Sequence, residues 1–404
     1  MIGFIRIGVR SLLSLIPNIL IESPHGVLHA DPNVDEINST TLFEIYPHTV
    51  EDNFFLAVPE LAYFRDHCMV PFTGGSFMQA VFRYASLIGG FYAPGASFNI
   101  TRRTTLAALQ FQTKYSYVSV PEYLEEVDVI NKGENAVVSI LDADMQNGVD
   151  TLNAIQAVAF ANTGQGARAL APNGWTEAIN DGITPSYDGT VYTNYGEQAR
   201  NGAVGAALNS VPVFCGTSAG AAGVITYTTL EEGYQDASIG KKEPNLGVGN
   251  KAVIAYIKEK LVVQQRFQQE RDPVWGVMGF RLNNAMVLKS DYFPSLKYGQ
   301  NDPILGNWLT STFTSPGTTA NGGTAAAASN LPASGTVVTV GEVFNFYNTF
   351  DWLFRISDSD QFGGQFSGFV PAQNNTRVVG QIKLGSNFEC LSPRTQKQFY
   401  GIGG

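Results

Sequence analysis

Residues 74–163 constrain this chain more than any other stretch, because they combine a long two-armed strand excursion with a long helix. Leu109, Phe111, Thr113, Tyr115 and Tyr117 alternate with Gln110, Gln112, Lys114 and Ser116, the period of a half-buried strand. The earlier arm, Phe77 to Tyr92, is apolar and less regular, and Ala93-Pro94-Gly95-Ala96-Ser97 between the arms is turn chemistry. From Glu134 to Thr163 no proline occurs, and Val137, Leu141, Met145, Gly148, Leu152, Ile155 and Ala159 recur at helical spacing. Asp142, Asp144, Gln146, Asn147, Asp150, Asn153 and Gln156 fill the other sides, and Gly164 and Gly166 supply a stop. Such a helix spans ~45 Å, with one narrow apolar stripe and much polar surface. A two-stranded ribbon is marginal alone, and its open edges invite pairing. Both elements point to a chain whose surfaces are completed by neighbours, that is, a subunit of an assembly.

Composition fits that reading. The 404 residues are 44% hydrophobic and only 15% charged, with 26 Phe and 17 Tyr, against about 25% charged in ordinary soluble domains. Sparse charge and many aromatics suit a chain with large interfaces. A net charge of −10 without a basic run excludes a protein whose main task is gripping nucleic-acid phosphates. An acidic wall can still enclose DNA without binding it. Cys68, Cys215 and Cys390 are odd in number and form no CxxC, so they read as reduced, buried thiols.

Arg6 and Arg10 before an apolar run imitate a signal peptide, but Ser23-Pro24-His25-Gly26 is a poor cleavage site and the run is too short to span a membrane. Asn38-Ser39-Thr40, Asn99-Ile100-Thr101 and Asn374-Asn375-Thr376 match the glycosylation triplet. These features support an alternative, a secreted or surface-layer β-rich binding protein. The favoured reading of the start is an arm, extended from about Ile21 to Ala62, in which Pro24, Pro32, Pro47 and Pro59 block long helices.

Catalytic and metal motifs are thin. Gly216-Thr217-Ser218-Ala219-Gly220 matches the nucleophile elbow, so a serine hydrolase using Ser218 is a weaker alternative. Its histidines (His25, His29, His48, His67) all lie upstream, in or just after the arm. Asp142 to Gly148 imitates a calcium loop with its glycine one place late and Asn153 where the bidentate Glu belongs. His67-Cys68 lacks a second ligand pair for zinc, and Asn245 to Lys251 lacks P-loop spacing. No enzyme, cofactor or metal is expected.

Further along, Gly174 to Gly182 reads as a short amphipathic turn and Tyr187-Asp188-Gly189-Thr190 as a tight turn. Lys251 to Glu270 reads as a helix, and Val274 to Leu288 as strands joined at Asn283-Asn284. The Thr-, Ser-, Gly- and Ala-rich stretch from Thr310 to Gly341 reads as a surface loop or insertion. Val378 to Leu384, a Gly385-Ser386-Asn387 turn and Phe388 to Leu391 read as a terminal hairpin.

The order of these parts resembles the major capsid protein of tailed bacteriophages, with the Hong Kong 97-type fold. Asn173-Gly174-Trp175-Thr176-Glu177-Ala178-Ile179 with Tyr187-Asp188-Gly189 carries the resemblance. So do Gly279-Phe280-Arg281-Leu282, Asp291-Tyr292-Phe293-Pro294 and Leu391-Ser392-Pro393-Arg394. It implies an α+β fold. Residues 1–73 would be an N-terminal arm and the start of the peripheral domain, and 74–120 the E-loop. Residues 121–189 would be peripheral domain with the spine helix at 134–163, 190–345 an axial domain carrying the insertion 310–341, and 346–404 return strands of the peripheral domain. It also implies self-assembly into pentamers and hexamers of an icosahedral shell around double-stranded DNA, without sequence-specific binding and without a membrane. The chain would be assembled in the host cytoplasm and reside in the virion capsid, with a portal and a separate scaffolding protein, since no scaffold-like segment precedes the arm. Arg102 and Arg103 but no lysine lie near the excursion tip, so Lys–Asn crosslinking of subunits has no support. That basic pair, in an otherwise acidic chain, is expected to meet acids of a neighbour, with Glu122, Glu125, Glu126 and Asp128 as candidates.

Overall fold

The computed structural model of the protein describes residues 59–75, 77–123, 140–261, 269–271, 278–295, 311–317, 319–320, 323–324, 330–357, 365–371 and 377–403. By contact density the chain divides into two units. One takes in Met1–Asp52, Val120–Asn147 and Phe369–Gly380, and the larger takes in Asn53–Ser119, Gly148–Gly368 and Gln381–Gly404.

Helix α1 (Pro59–Cys68) leads into strand β1 (Met69–Phe72). The extended arm read as far as Ala62 is therefore corrected at its end. Pro59 begins this helix, at a position where its missing N–H costs nothing. The two-armed excursion follows as β2 (Met78–Arg83) and β3 (Leu106–Phe111), paired antiparallel from Met78 opposite Phe111 to Arg83 opposite Leu106. The expected turn forms at its tip, where Ala96 N donates to Ala93 O (2.9 Å). The alternating second arm is broken at Gln112-Thr113, beyond which β4 (Lys114–Tyr123) begins.

The long helix α2 runs from Ile140 to Phe160, 21 residues. Residues 134–139 lie outside the described residues, and 161–163 have left the helix. The narrow stripe holds for Gly148, Leu152 and Ala159, but the last turns are buried nearly all round. Gln156, expected on the polar side, is 1% exposed. It is satisfied there: Nε2 donates to Ser116 Oγ (2.7 Å) and Oε1 accepts from Ser386 Oγ (3.1 Å).

Next come the short helix α3 (Trp175–Ala178), the hairpin β5 (Asn194–Tyr195) and β6 (Gln198–Ala199), helix α4 (Gly205–Leu208) and β7 (Val213–Phe214). Helix α5 (Tyr227–Ala237), β8 (Leu246–Gly249) and helix α6 (Lys251–Leu261) follow. Asn250 Oδ1 accepts from Val253 N (3.0 Å) and so caps α6. This helix was read as far as Glu270, but Gln269 and Glu270 belong to strand β9 (Gln269–Arg271). Strands β10 (Met278–Leu282) and β11 (Ala285–Lys289) form the expected hairpin, with Leu282 opposite Ala285 and Asn283 at φ +52°.

The stretch read as a loop at 310–341 is structured at both ends. Strand β12 (Thr312–Thr314) pairs with β15 (Val337–Thr339), and a small hairpin of β13 (Thr319–Ala320) and β14 (Gly323–Thr324) lies between. Val338 and Val340 are fully buried. Polar composition misled here because apolar residues of the stretch such as Val338 and Val340 find a core that composition does not reveal. The chain closes with β16 (Glu342–Tyr347), β17 (Trp352–Ser357), β18 (Gln365–Phe366), β19 (Val370–Pro371), β20 (Arg377–Cys390) and β21 (Lys397–Ile402). The terminal hairpin is overturned: β20 is one 14-residue strand that runs straight through Gly385-Ser386-Asn387. Ser386 and Asn387 lie opposite Ile356 and Arg355 of β17, and both are fully buried.

Two sheets organise the larger unit. The first has the order β7-β21-β16-β8-β11-β10-β9, so the terminal strand β21 completes a sheet drawn mostly from the 190–345 segment. Helices α5 and α6 supply Leu230, Tyr234, Val253 and Ile257 to its core, against Phe280, Val287, Phe344, Phe346 and Phe399. The second has the order β1-β17-β20-β18, and β4 also pairs with β20. Its core is aromatic, centred on Phe160 with Phe64 (4.7 Å), Trp352 (5.2 Å) and Phe388 (4.9 Å). In the smaller unit β19 pairs with the first residues of β20, and Arg377 sits 5.7 Å over the Tyr123 ring.

Candidate functional site

The excursion, called the tongue below, carries the surface that stands out. Its ladder ends where Tyr84 N donates to Thr105 O (3.0 Å), and residues 86–104 beyond it are exposed throughout. Of eighteen large apolar side chains exposed among the described residues, eleven lie between Phe77 and Tyr117, so exposed apolar surface is concentrated on and beside this one element. Phe91 and Ile100 are 111% and 93% exposed. Tyr92 and Phe98 meet edge to face across the tip turn at 4.9 Å. An open groove of about 750 Å³ beside the tongue's base is lined by Phe72, Tyr115, Tyr117, Lys383 and Leu384.

The charge of the tongue is equally one-sided. From His67 to Pro121 there is no Asp or Glu, while Arg83, Arg102, Arg103 and Lys114 fall within it. The sequence reading noted only the arginine pair; the acid-free run was the signal it passed over. Arg102 and Arg103 are exposed. Glu122 is 4% exposed on β4, whereas Glu125, Glu126 and Asp128 lie outside the described residues.

Residues that carried the family resemblance converge in the structure. Trp175 packs 5.2 Å from Tyr187 and stacks on Phe293 at 5.4 Å, and all three are buried. The backbone of Gly174 passes so close to the end of α2 that a Cβ there would lie 2.2 Å from Asn162 O and 2.4 Å from Phe160 O.

Two buried charges in the same region were not singled out as functional. Arg200 is 2% exposed and donates to four carbonyls: Asn180 O and Leu208 O (both 2.5 Å), Glu177 O (2.6 Å) and Ala178 O (3.0 Å). It thereby satisfies the C-terminal ends of α3 and α4 at once. Glu177 is fully buried. Its Oε2 accepts from Thr163 Oγ1 (2.9 Å) and Gly164 N (3.2 Å), and its Oε1 from Asn173 Nδ2. Burial raises its carboxyl pKa, opposed by those hydrogen bonds and by the charge of Arg200. A carboxyl raised on folding contributes stability that is complete below the unfolded pKa and lost as pH rises through the folded value. Glu177→Gln is therefore expected to flatten the fall in unfolding free energy over the pH range above about 4, the ordinary glutamate value. Urea unfolding across that range checks it, and an unaltered slope would count against it.

The catalytic and metal motifs are placed differently. Ser218 is exposed in a tight turn, with Gly220 N donating to Thr217 O (2.9 Å) and Thr217 N to Ala221 O (2.8 Å). The strand-to-helix elbow a nucleophile needs is not formed, since the next helix begins at Tyr227. His67 lies on α1, stacked on Tyr63 at 4.3 Å. Asp142 to Gly148, the calcium-loop imitation, is helical. Among the described residues no cluster of three or more metal-ligating side chains occurs, and no helix is long and apolar enough to cross a membrane. Asn99 is exposed on the tongue, its Oδ1 accepting from Thr101 N (3.1 Å).

Comparison with solved structures finds shell proteins. The chain superposes on the capsid subunit of cyanophage A-1(L) with TM-score 0.57 at 10% identity, over 91% of this chain and 99% of that one. It superposes on an encapsulin, from the holo-SrpI complex of Synechococcus elongatus PCC 7942, with TM-score 0.53 at 9% identity, over 91% and 95%. For the capsid of the empty GTA particle, computed with C5 symmetry, the values are 0.52, 11%, 87% and 99%. No protein-family model matches the sequence, and no curated protein is similar to it. The likeness is one of fold: this chain has the Hong Kong 97-type fold of capsid proteins that its sequence resembles.

Proposed function

We propose that the protein is a major capsid protein of a tailed bacteriophage, forming pentamers and hexamers of an icosahedral shell that encloses double-stranded DNA. The observation that carries this reading is the tongue, an element whose apolar side chains beyond its base, among them Leu87, Phe91 and Ile100, are exposed. A head-to-tail contact repeated around an axis closes into a ring, and laying the tongue on a neighbour removes that surface from water. The likeness to a capsid computed with C5 symmetry supports the ring. In this reading 74–120 is the E-loop, α2 belongs to the spine helix, and 190–345 surrounds the symmetry axes. The shell is a virion component assembled in the host cytoplasm with a scaffolding protein and a portal, and the chain performs no catalysis.

Negative-stain microscopy and sedimentation of the purified chain, followed by nuclease treatment of particles made in infected cells, test it. Closed particles with nuclease-protected duplex DNA are the expected result. A stable monomer at every concentration would sink the shell, and empty particles only would remove the DNA.

Within this reading Arg102 and Arg103 pair with acids of the adjacent subunit, among them Glu125, Glu126 and Asp128. Glu122, buried in its own chain, would have to be uncovered first. Each exposed pair is worth about 0–1 kcal/mol, but a shell repeats it in every copy. Reversing both arginines to glutamate is expected to cut particle yield at least ~10-fold, about 1.4 kcal/mol per contact, while the thermal midpoint of the subunit stays put. Wild-type yield would discard the pairing.

A further inference from the structure

The tongue is exposed at its tip and fastened at its base. Leu109 and Phe111 are buried while everything from Ser86 to Thr104 is exposed. Three separate pieces of the chain hold that base. The β5–β6 hairpin reaches it with Gly196 at φ +54° and Glu197 at φ +63°, a turn that brings the Gly196 backbone onto β3. Gln110 N donates to Gly196 O (3.0 Å), and Gln198 Nε2 donates to Ala108 O (3.0 Å). A Cβ on Gly196 would sit 3.0 Å from both Leu109 and Phe111, and Tyr195 meets the Phe111 ring edge-on at 5.3 Å. On the other side Asn387, near the end of β20, donates from Nδ2 to Gln112 O (2.7 Å), at the break between β3 and β4. Beyond the break, Lys114 Nζ donates to Ala169 O.

Asn387 is in turn fixed from behind. Its Oδ1 accepts from Asn173 N (2.7 Å) and its Nδ2 also donates to Asn173 Oδ1 (2.8 Å). Asn173 Nδ2 donates to Glu177, which holds Thr163 and Gly164 just past the end of α2. A continuous polar chain thus runs from the end of the long helix to the point where the tongue leaves the body.

We infer that Asn387, Gln198 and the Gly196 backbone form a joint that sets the direction of the tongue, and that the partner this direction serves is a second copy of the same chain. The inference rests on the capsid-subunit reading for its partner and on the joint's geometry for the rest. The physical need is leverage. Ten residues separate Leu106 from Ala96, a reach of up to ~33 Å. A 10° error at the base moves a tip ~30 Å away by about 5 Å, the spacing of one strand from the next. A contact made at the tip therefore depends on hydrogen bonds made at the base. The break at Gln112-Thr113, which the alternating sequence hides, is the place where direction is decided.

The test measures direction and assembly separately. Spin labels at S97C and S218C, both exposed, in a C215A background report the distance from tip to body in the unassembled subunit. Wild type is expected to give one narrow distribution. The double variant Q198A/N387S removes the side-chain bonds to Ala108 O and Gln112 O. It is expected to widen that distribution at least twofold and to lower particle yield at least tenfold. Ser210→Ala, which removes a buried bond to Gln396 O (2.6 Å) and none of the bonds of the joint, serves as the stability control. It is expected to lower the thermal midpoint while leaving width and yield at wild-type values. If the double variant does not fold, Q198A alone gives the decisive width. An unchanged width in a folded variant overturns the joint. Absence of wild-type particles would instead overturn the capsid reading, and the width would still decide the joint.

Discussion

Arg200→Met is expected to destabilise the folded chain by at least about 3 kcal/mol. The guanidinium is buried and shared among the carbonyls of Glu177, Ala178, Asn180 and Leu208. Methionine keeps most of the volume but no donor, so Glu177 O and Leu208 O are stranded, while Asn180 O keeps Ser210 N (3.1 Å) and Ala178 O keeps Asn180 N (3.1 Å). Each stranded buried acceptor costs about 1–3 kcal/mol, and relaxation recovers only part. Arg200→Lys is expected to restore less than half of the loss, because a point-like ammonium cannot span four acceptors held by a planar fork. The cation also rests 5.3 Å over the ring of Tyr195, which belongs to the β5–β6 hairpin that clamps the tongue. Urea unfolding of the three proteins at neutral pH gives the comparison. A methionine variant within 1 kcal/mol of wild type would show that water replaces the guanidinium at low cost.

Replacing residues 86–103 by a short Gly-Ser turn is expected to leave a folded, soluble subunit and to abolish particles. The ladder between β2 and β3 stays intact, because its last bond joins Tyr84 to Thr105. None of the removed apolar side chains belongs to the buried core, so the thermal midpoint is expected to hold. Assembly is another matter. Burying Leu87, Phe91 or Ile100 against a neighbour is worth about 1.5–3 kcal/mol each. Losing the three together removes at least about 4.5 kcal/mol per contact, more than a 10³-fold change in association. Sedimentation of the variant at concentrations where wild type assembles gives the answer. Particles at wild-type yield would show that the shell contact lies elsewhere and would remove the main support for the capsid reading.

Much of this was legible because the signals were local. Asn283-Asn284 between apolar runs gave the β10–β11 hairpin, and Pro94-Gly95 gave the tip turn. The apolar residues spaced through α2 gave the helix, since a helix repeats its own geometry every few residues. The tongue was legible as two arms with a turn, and its arginines could be named from the sequence. The terminal hairpin failed for an instructive reason. Gly385-Ser386-Asn387 is ordinary turn chemistry, yet tertiary partners take every polar group it offers: Ser386 bonds Gln156, and Asn387 bonds Gln112 and Asn173. Satisfied that way, the segment has no need to turn and continues as strand. The Thr- and Ser-rich stretch failed similarly, since Val338 and Val340 found a core that composition does not reveal.

What the sequence determined alone was therefore the set of pieces: a tongue, a long helix, a mixed lobe of helix and strands, and the order in which they come. That order sufficed to point to a fold, because periodicity and turn residues act over short spans of chain. What only the tertiary structure decided was which polar groups are buried and which apolar groups are left bare. Arg200 and Glu177 find their partners in neighbouring turns of the chain that only the fold aims at them, and Asn387 finds its partners 214 and 275 residues away. Burial is a property of everything that surrounds a residue, so no local pattern can record it.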